Sequence, residues 1–497
     1  MEENKNNKLL TILFIIFIVI SIIHVLYASI VFRGMYCDGA FYMVKQLNWL
    51  ADGSFQIAYD PEHPRFLSMF ITQVPVIIAH SLLFIKNKFT LMFVYSFAQF
   101  AIPVVSLLWG YKLAKRTNKP DIFFWNLFTY GGIILTYQIF SVTESIPCIS
   151  FHFILWNYLA AKMEYNKKDI FSIIFLLIMM FGTYEYVAYM GIFFFLCHFY
   201  YVLQDTSVKN QLIKTIIGFG SLGASIYTIW FMFREKGESG EIFRFIGEMI
   251  NVIPQIPHLN LIITIVTIPL LIIFAFKKTN IKTLEILACS IVMYFAIRYL
   301  FNHLDISLVP MWEGHFRTFP CWWLMLVFLI LHVKDIIKPK YITQRWQNLI
   351  AIALLCAVFQ TFWQINNSYF WNKNVQYMKS ELAKEKSPLY IADWHEEISS
   401  FTNEKLRRYI WHAFYVQMSI LFSDTYEQKT LLVNYNKLQD ENNKSFRQYL
   451  YLPKREPGKI SLPVDNHIDI KNYYWDLTNC AKALDKHNKK YHIQTVE

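Results

Sequence analysis

The chain of 497 residues is 55% apolar, 18% aromatic and only 17% charged, with a net charge of +11. An ordinary soluble domain carries about 25% charged residues, so a string of cytosolic domains is excluded. With 16 Gly and 16 Pro in the whole chain, collagen-like, low-complexity and disordered classes are excluded as well.

Apolar runs long enough to cross a bilayer recur along the chain and predict an all-α polytopic membrane protein. The first, residues 9–32, follows a short polar leader containing Lys5 and Lys8. It is too long for the apolar core of a cleaved signal peptide, so it reads as an anchored helix with a cytoplasmic N-terminus. Further runs cover 67–85, 90–111, 121–141, 148–162, 170–183, 186–203, 214–233, 259–276, 283–301, 319–333 and 347–365.

If every run crossed, the cation-rich loop 112–119 would fall outside, against the positive-inside rule. The segment 67–85 follows Glu62-His63-Pro64-Arg65 and holds Gln73, Pro75 and His80. Read as an interfacial or re-entrant helix in the first outer loop (about 33–89), it leaves about 11 transmembrane helices and removes the conflict. Lys and Arg then number 18 inside and 10 outside before residue 366.

The division predicts a transmembrane domain over 1–365 and an extracytoplasmic C-terminal domain over 366–497. The tail holds 19 Lys and Arg against 16 Asp and Glu. Residues 403–422 are patterned as a helix with a broad apolar face, and 453–463 is rich in turn residues, so a small α/β domain is expected. The excess charge follows the membrane loops and is not a nucleic-acid signature. Of the seven cysteines, five lie within apolar runs and none is spaced as a zinc or redox motif.

On this topology the acids flanking the spans gather at the outer boundary: Asp38 after the first span, Glu144 in the loop 141–147, Glu185 between Tyr184 and Tyr186, and Glu313 in Trp312-Glu313-Gly314-His315-Phe316-Arg317. Ionisable groups near lipid are costly unless they are paired, hydrated or functional. A carboxylate held partly out of water gains proton affinity and suits a general base for a hydroxyl acceptor. A departing phosphate needs a cation, for which Arg317 is placed, with Arg298, His303, His315 and Arg65 as further candidates. Each residue also has a plainer reading: Asp38 as the N-cap of a helix beginning near Gly39, Arg317 as a snorkelling anchor, and His24, His152 and His198 as core histidines satisfied by neighbouring helices.

Asp38, Tyr42, Leu50, Gly53, His63 and Pro64, followed by a Pro-containing interfacial helix, resemble the GT-C membrane glycosyltransferases. The resemblance covers the first 200 or so residues, and the later spans only in layout. It implies sugar transfer from a polyprenyl-phosphate donor to a lipid-linked or cell-envelope glycan acceptor in the bilayer. Asp38 would be the catalytic base and Glu144 a second catalytic acid. Tyr42, His63, Arg65, Glu185, Glu313, His315 and Arg317 would bind substrate. Many relatives carry two adjacent acids in the first loop; here Gly39 follows Asp38, which favours a metal-independent reaction while leaving a divalent metal open. The Ile-, Asn- and Lys-rich composition points to a bacterial inner membrane. Rival readings are a transporter or flippase of lipid-linked saccharides and a non-catalytic envelope protein that binds a partner through its tail. A carrier-linked glycan polymerase or ligase ranks below, because it would need a longer Arg-rich late loop.

Overall fold

The computed structural model describes residues 2–36, 38–51, 53, 55, 65–135, 145–161, 163–184, 187–234, 346–384, 389–392, 418, 421–422 and 431–434. The helices are α1 (Glu2–Ile30), α2 (Asp38–Ala51), α3 (Phe66–Ser81), α4 (Lys88–Thr117), α5 (Pro120–Thr129), α6 (Ser145–Ala160), α7 (Lys167–Met180), α8 (Val187–Leu203), α9 (Val208–Arg234) and α10 (Trp346–Lys384). A short 3-10 turn, Arg33–Met35, joins α1 to α2, and α5 runs on into a π-turn, Tyr130–Ile134. Two four-residue strands, β1 (Leu389–Ala392) and β2 (Leu431–Asn434), pair in parallel.

Among the described residues four helices are long and apolar enough to cross a membrane: Leu10–Ile30, Lys88–Thr117, Val208–Phe231 and Ile350–Ser380. This is a helical membrane protein. The expected spans at 259–276, 283–301 and 319–333 lie outside the described residues, as does most of the expected C-terminal domain. The helix α3 is 16 residues long, about 24 Å at 1.5 Å per residue, which is short of the ~30 Å hydrocarbon core. The helix α10 passes through residues 365 and 366, where composition divides the chain, without a break.

Local chemistry sets the helix ends. Asn87 caps α4 by accepting from the Thr90 backbone N–H at 3.0 Å, and Asn118, in the left-handed conformation, closes it. Asn166 and Asp169 form a reciprocal capping box at the start of α7, which satisfies two donors that the helix itself cannot. Pro120 opens α5, where its missing N–H costs nothing.

On α1, Ile12, Ile15, Ile16, Val19, Ile22, Ile23, Leu26 and Ile30 are exposed, whereas Phe17, Ile20, Ser21, His24, Val25 and Ala28 are buried. A helix apolar on both faces belongs in lipid, with one stripe against protein and the other against acyl chains. The buried stripe packs on α4, α5 and the π-turn through Phe14 on Tyr111 and Phe123, Phe17 on Tyr130, and His24 edge-on to Phe100. The helices α8 and α9 approach closely at Gly191, where a β-carbon would run into the Ser221 carbonyl oxygen; small residues at such crossings let backbones touch.

One end of the bundle collects the basic loops. Arg116 pairs with Asp169 at 2.8 Å, Lys119 donates to the Ala160 carbonyl at 3.3 Å and Lys209 to that of Tyr165 at 3.0 Å. Beside them Lys214, fully buried, pairs with Asp205 at 2.8 Å. Burial on its own would raise the Asp205 carboxyl, but hydrogen bonding and charge from Lys214, with Asn210 and the Ser207 N–H, hold it below the ordinary carboxylate value.

Candidate functional site

The opposite end of the bundle carries the turn from α1 to α2. Phe32 leaves α1 in the left-handed conformation, φ 54° and ψ 39°, which is costly for a residue with a β-carbon and persists only when its surroundings enforce it. The chain then folds tightly: Met35 N–H donates to Phe32 O at 2.9 Å, Tyr36 N–H to Arg33 O at 3.1 Å and Gly39 N–H to Tyr36 O at 3.3 Å. The turn is pressed onto α4 and onto itself. A β-carbon on Gly34 would lie 2.6 Å from Ser96 Oγ, and one on Gly39 would lie 1.8 Å from the Gly34 carbonyl oxygen.

Arg33 fixes this turn to α10. Its Nη1 donates to Gln364 Oε1 at 2.8 Å, to Gln364 O at 3.1 Å and to Ser368 Oγ at 3.1 Å, and its guanidinium lies 5.9 Å from the Phe100 ring centre. Trp371 Nε1 donates to Val31 O at 2.9 Å. The side chain of Arg33 is buried, so this is a cation held inside protein by polar groups from another helix, five residues before Asp38. The sequence presents Arg33 only as a loop cation. An Arg just past an apolar run looks the same whether it snorkels or turns inward, and nothing local distinguishes the two.

Asp38 is the first residue of α2, close to where the capping reading expects a helix to begin. Its side chain is outside the described ones. Tyr42 follows one turn later, on the same face by helical spacing, and is 3% exposed. The helix α2 leans on α3 through Gln46 Nε2, which donates to Gln73 O at 2.9 Å.

The chain between α2 and α3 rejoins the bundle at Arg65. Its guanidinium sits 4.9 Å over the Tyr184 ring, Leu67 N–H donates to Gly182 O at 2.7 Å, and Ser68 Oγ donates to Thr183 O at 3.0 Å. The structure therefore brings Arg65 and the start of α3 against Gly182, Thr183 and Tyr184, which the sequence marks separately. At the far end of α3, burial and then the Lys86 charge hold the His80 imidazole below its ordinary value.

His63, Glu144, Glu313, His315 and Arg317, and likewise Glu185, lie outside the described residues. Among the described residues no three His, Cys, Asp or Glu side chains come together as a metal site. Of the core histidines, His24 packs on Phe100 of a neighbouring helix, whereas His152 Nδ1 bonds to Cys148 O at 2.7 Å and His198 Nδ1 to Phe195 O, each within its own helix and not across to a neighbour as the sequence predicts. Cys148, Cys197 and Cys356 are free thiols within the helices.

No family model, curated protein or solved structure matches this chain.

Proposed function

We propose that this protein is a polytopic membrane glycosyltransferase of the GT-C type. It would move a sugar from a polyprenyl-phosphate donor to a lipid-linked or envelope acceptor. One observation carries the reading. The acid that follows the first span stands at the start of a helix, on a turn held by backbone contact, at the end of the bundle remote from the basic loops. The basic end is cytoplasmic by the positive-inside rule, which puts Asp38 on the outer face of a bacterial inner membrane. The proposal keeps about 11 spans and an outer C-terminal domain.

In this reaction Asp38 takes the proton of the acceptor hydroxyl as its oxygen attacks the anomeric carbon. The bond from that carbon to the phosphate oxygen breaks, and a single in-line displacement inverts the centre. Arg317 stabilises the leaving phosphate, and Glu144 orients acceptor or sugar. Tyr42, His63, Arg65, Glu185, Glu313 and His315 line the approach.

A transporter is the weaker reading. Transporters place charge at the bilayer midplane, on broken helices. Among the described residues the buried charged side chains are Arg33, Arg65, Lys88, Asp169 and Lys214, each within two turns of a helix end or just outside one.

The test is mass spectrometry of envelope glycans and carrier lipids from a deletion strain complemented with wild type or Asp38→Asn at equal protein level. The expected mutant lacks one sugar addition and accumulates the charged donor lipid. A wild-type glycan in Asp38→Asn cells overturns the assignment and moves the transport and partner-binding readings ahead.

A further inference from the structure

The C-terminal tail returns to the turn that carries Asp38. Met418, Leu421 and Phe422, all helical, are buried, and Phe422 is only 2% exposed. The Phe422 ring lies 6.2 Å from that of Phe32 and 6.1 Å from that of Trp371. Phe89, at the start of α4, lies 5.7 Å from Phe32. Trp371 holds Val31 through its indole N–H and meets the Tyr36 ring edge-on at 5.6 Å.

Residues on both sides of the 3-10 turn are thus gripped by one aromatic cluster: Phe32 between Phe89 and Phe422, and Val31 and Tyr36 by Trp371. Phe32 sits at φ 54°, a conformation that a chain relaxes from unless packing opposes it. Phe89 and Trp371 belong to the bundle; Phe422 comes from more than 40 residues beyond Trp371 and is the tail's own contribution. Large buried aromatics at such a junction supply area and fixed orientation together.

We propose that Phe422 is a positioning residue: the tail seats it against Phe32 and Trp371 to hold the left-handed turn, and through the turn it sets where α2 and Asp38 begin. The tail is then part of the site's architecture and not a separate binding module. The catalytic consequence rests on the transferase reading; the grip on the turn does not.

The experiment is hydrogen–deuterium exchange on the full chain in lipid nanodiscs, comparing wild type, Phe422→Ala and the milder Phe422→Leu. The expected result is exchange over residues 31–39 about tenfold faster in Phe422→Ala, the loss of two aromatic pairs. Phe422→Leu should recover most of the protection, and peptides at the basic end, 112–119 and 163–169, should match wild type. If Phe422→Ala does not fold, Phe422→Leu against wild type gives the same comparison at smaller amplitude. Unchanged exchange over 31–39, or a uniform rise that includes the basic end, overturns the proposal. The same cells supply the glycan profile. A loosened turn with a normal glycan, where Asp38→Asn abolishes the glycan, overturns the positioning role. Exchange needs no substrate, so a loosened turn upholds the grip even where Asp38→Asn leaves the glycan unchanged and the transferase reading falls.

Discussion

Gly39 meets Gly34 backbone to backbone: a β-carbon on Gly39 would stand 1.8 Å from the Gly34 carbonyl oxygen. The residue after Asp38 therefore has no room for any side chain, a second acid included. Gly39→Ala should lower stability by about 1–3 kcal/mol through overpacking, and Gly39→Asp by at least as much. Thermal unfolding in detergent measures this. Gly223→Ala is the control, because its β-carbon would make only an ordinary 3.5 Å contact with Phe181; it should match or exceed wild type. Equal midpoints for Gly39→Ala and wild type would refute the close approach.

The pair Lys214 and Asp205 gives a pH dependence with a definite sign. The Asp205 carboxyl is held below its ordinary value in the folded protein, so its contribution is complete above the unfolded value of about 3.9 and disappears as pH falls through the lower, folded value. Asp205→Asn leaves Lys214 buried with the Tyr201 carbonyl but no carboxylate. The cost should fall near the low end of the ~3–5 kcal/mol for breaking a buried pair, since Asp205 reaches the protein edge. Unfolding midpoints of the two proteins should be well separated from pH 7 to about pH 5 and converge in strong acid. A gap that widens on acidification contradicts the assignment.

The Arg65 guanidinium over Tyr184 ties the start of α3 to the residues just past α7. Tyr184→Phe keeps the ring face and should be nearly neutral. Tyr184→Leu should cost roughly 1–2 kcal/mol, the range for a desolvated cation–π contact plus some packing. A double-mutant cycle with Arg65→Met isolates the pair. No coupling between the two substitutions would show that the stacking contributes nothing.

The unbroken α10 sets the tail's azimuth. One alanine inserted after Lys379 turns everything beyond it by about 100°, whereas four return it to within about 40°. The single insertion should unseat Phe422 and expose the tail to limited proteolysis, and the fourfold insertion should recover part of the protection. Identical digestion patterns for both would mean that the tail seats independently of α10.

Much of the architecture was legible because long apolar runs have few alternatives. The run at 90–111 became Lys88–Thr117, that at 148–162 became Ser145–Ala160, and that at 186–203 became Val187–Leu203. The shifts at their ends come from caps such as Asn87 and Asn118, which polar loops disguise. The length of α10 was not legible, since hydropathy falls off near residue 365 whereas helical hydrogen bonding does not.

At the candidate site, the acid after the first span and its helix could be read from residue types. The grip of Gln364 and Ser368 on Arg33, of Trp371 on Val31 and Tyr36, and of Phe422 on Phe32 could not. These contacts join residues more than 300 positions apart, and one sequence holds no trace of which distant polar or aromatic residue a given Arg or Phe will meet. Gly34 and Gly39 let two backbones come together, a use that their residue type alone does not announce.

The helix α10 has 39 residues, about 58 Å at 1.5 Å per residue, nearly twice the ~30 Å hydrocarbon thickness. Trp371 is level with the end of α1, so the 13 residues from there to Lys384 extend about 20 Å further. Phe422 nevertheless lies back at Trp371. Phe422 therefore meets this rod about 20 Å short of its C-terminal end, and where Phe422 sits depends on where the rod stands. A tilt of that rod reaches the turn along two routes at once, through Val31 and Tyr36, which Trp371 holds, and through Phe32, which Phe422 meets.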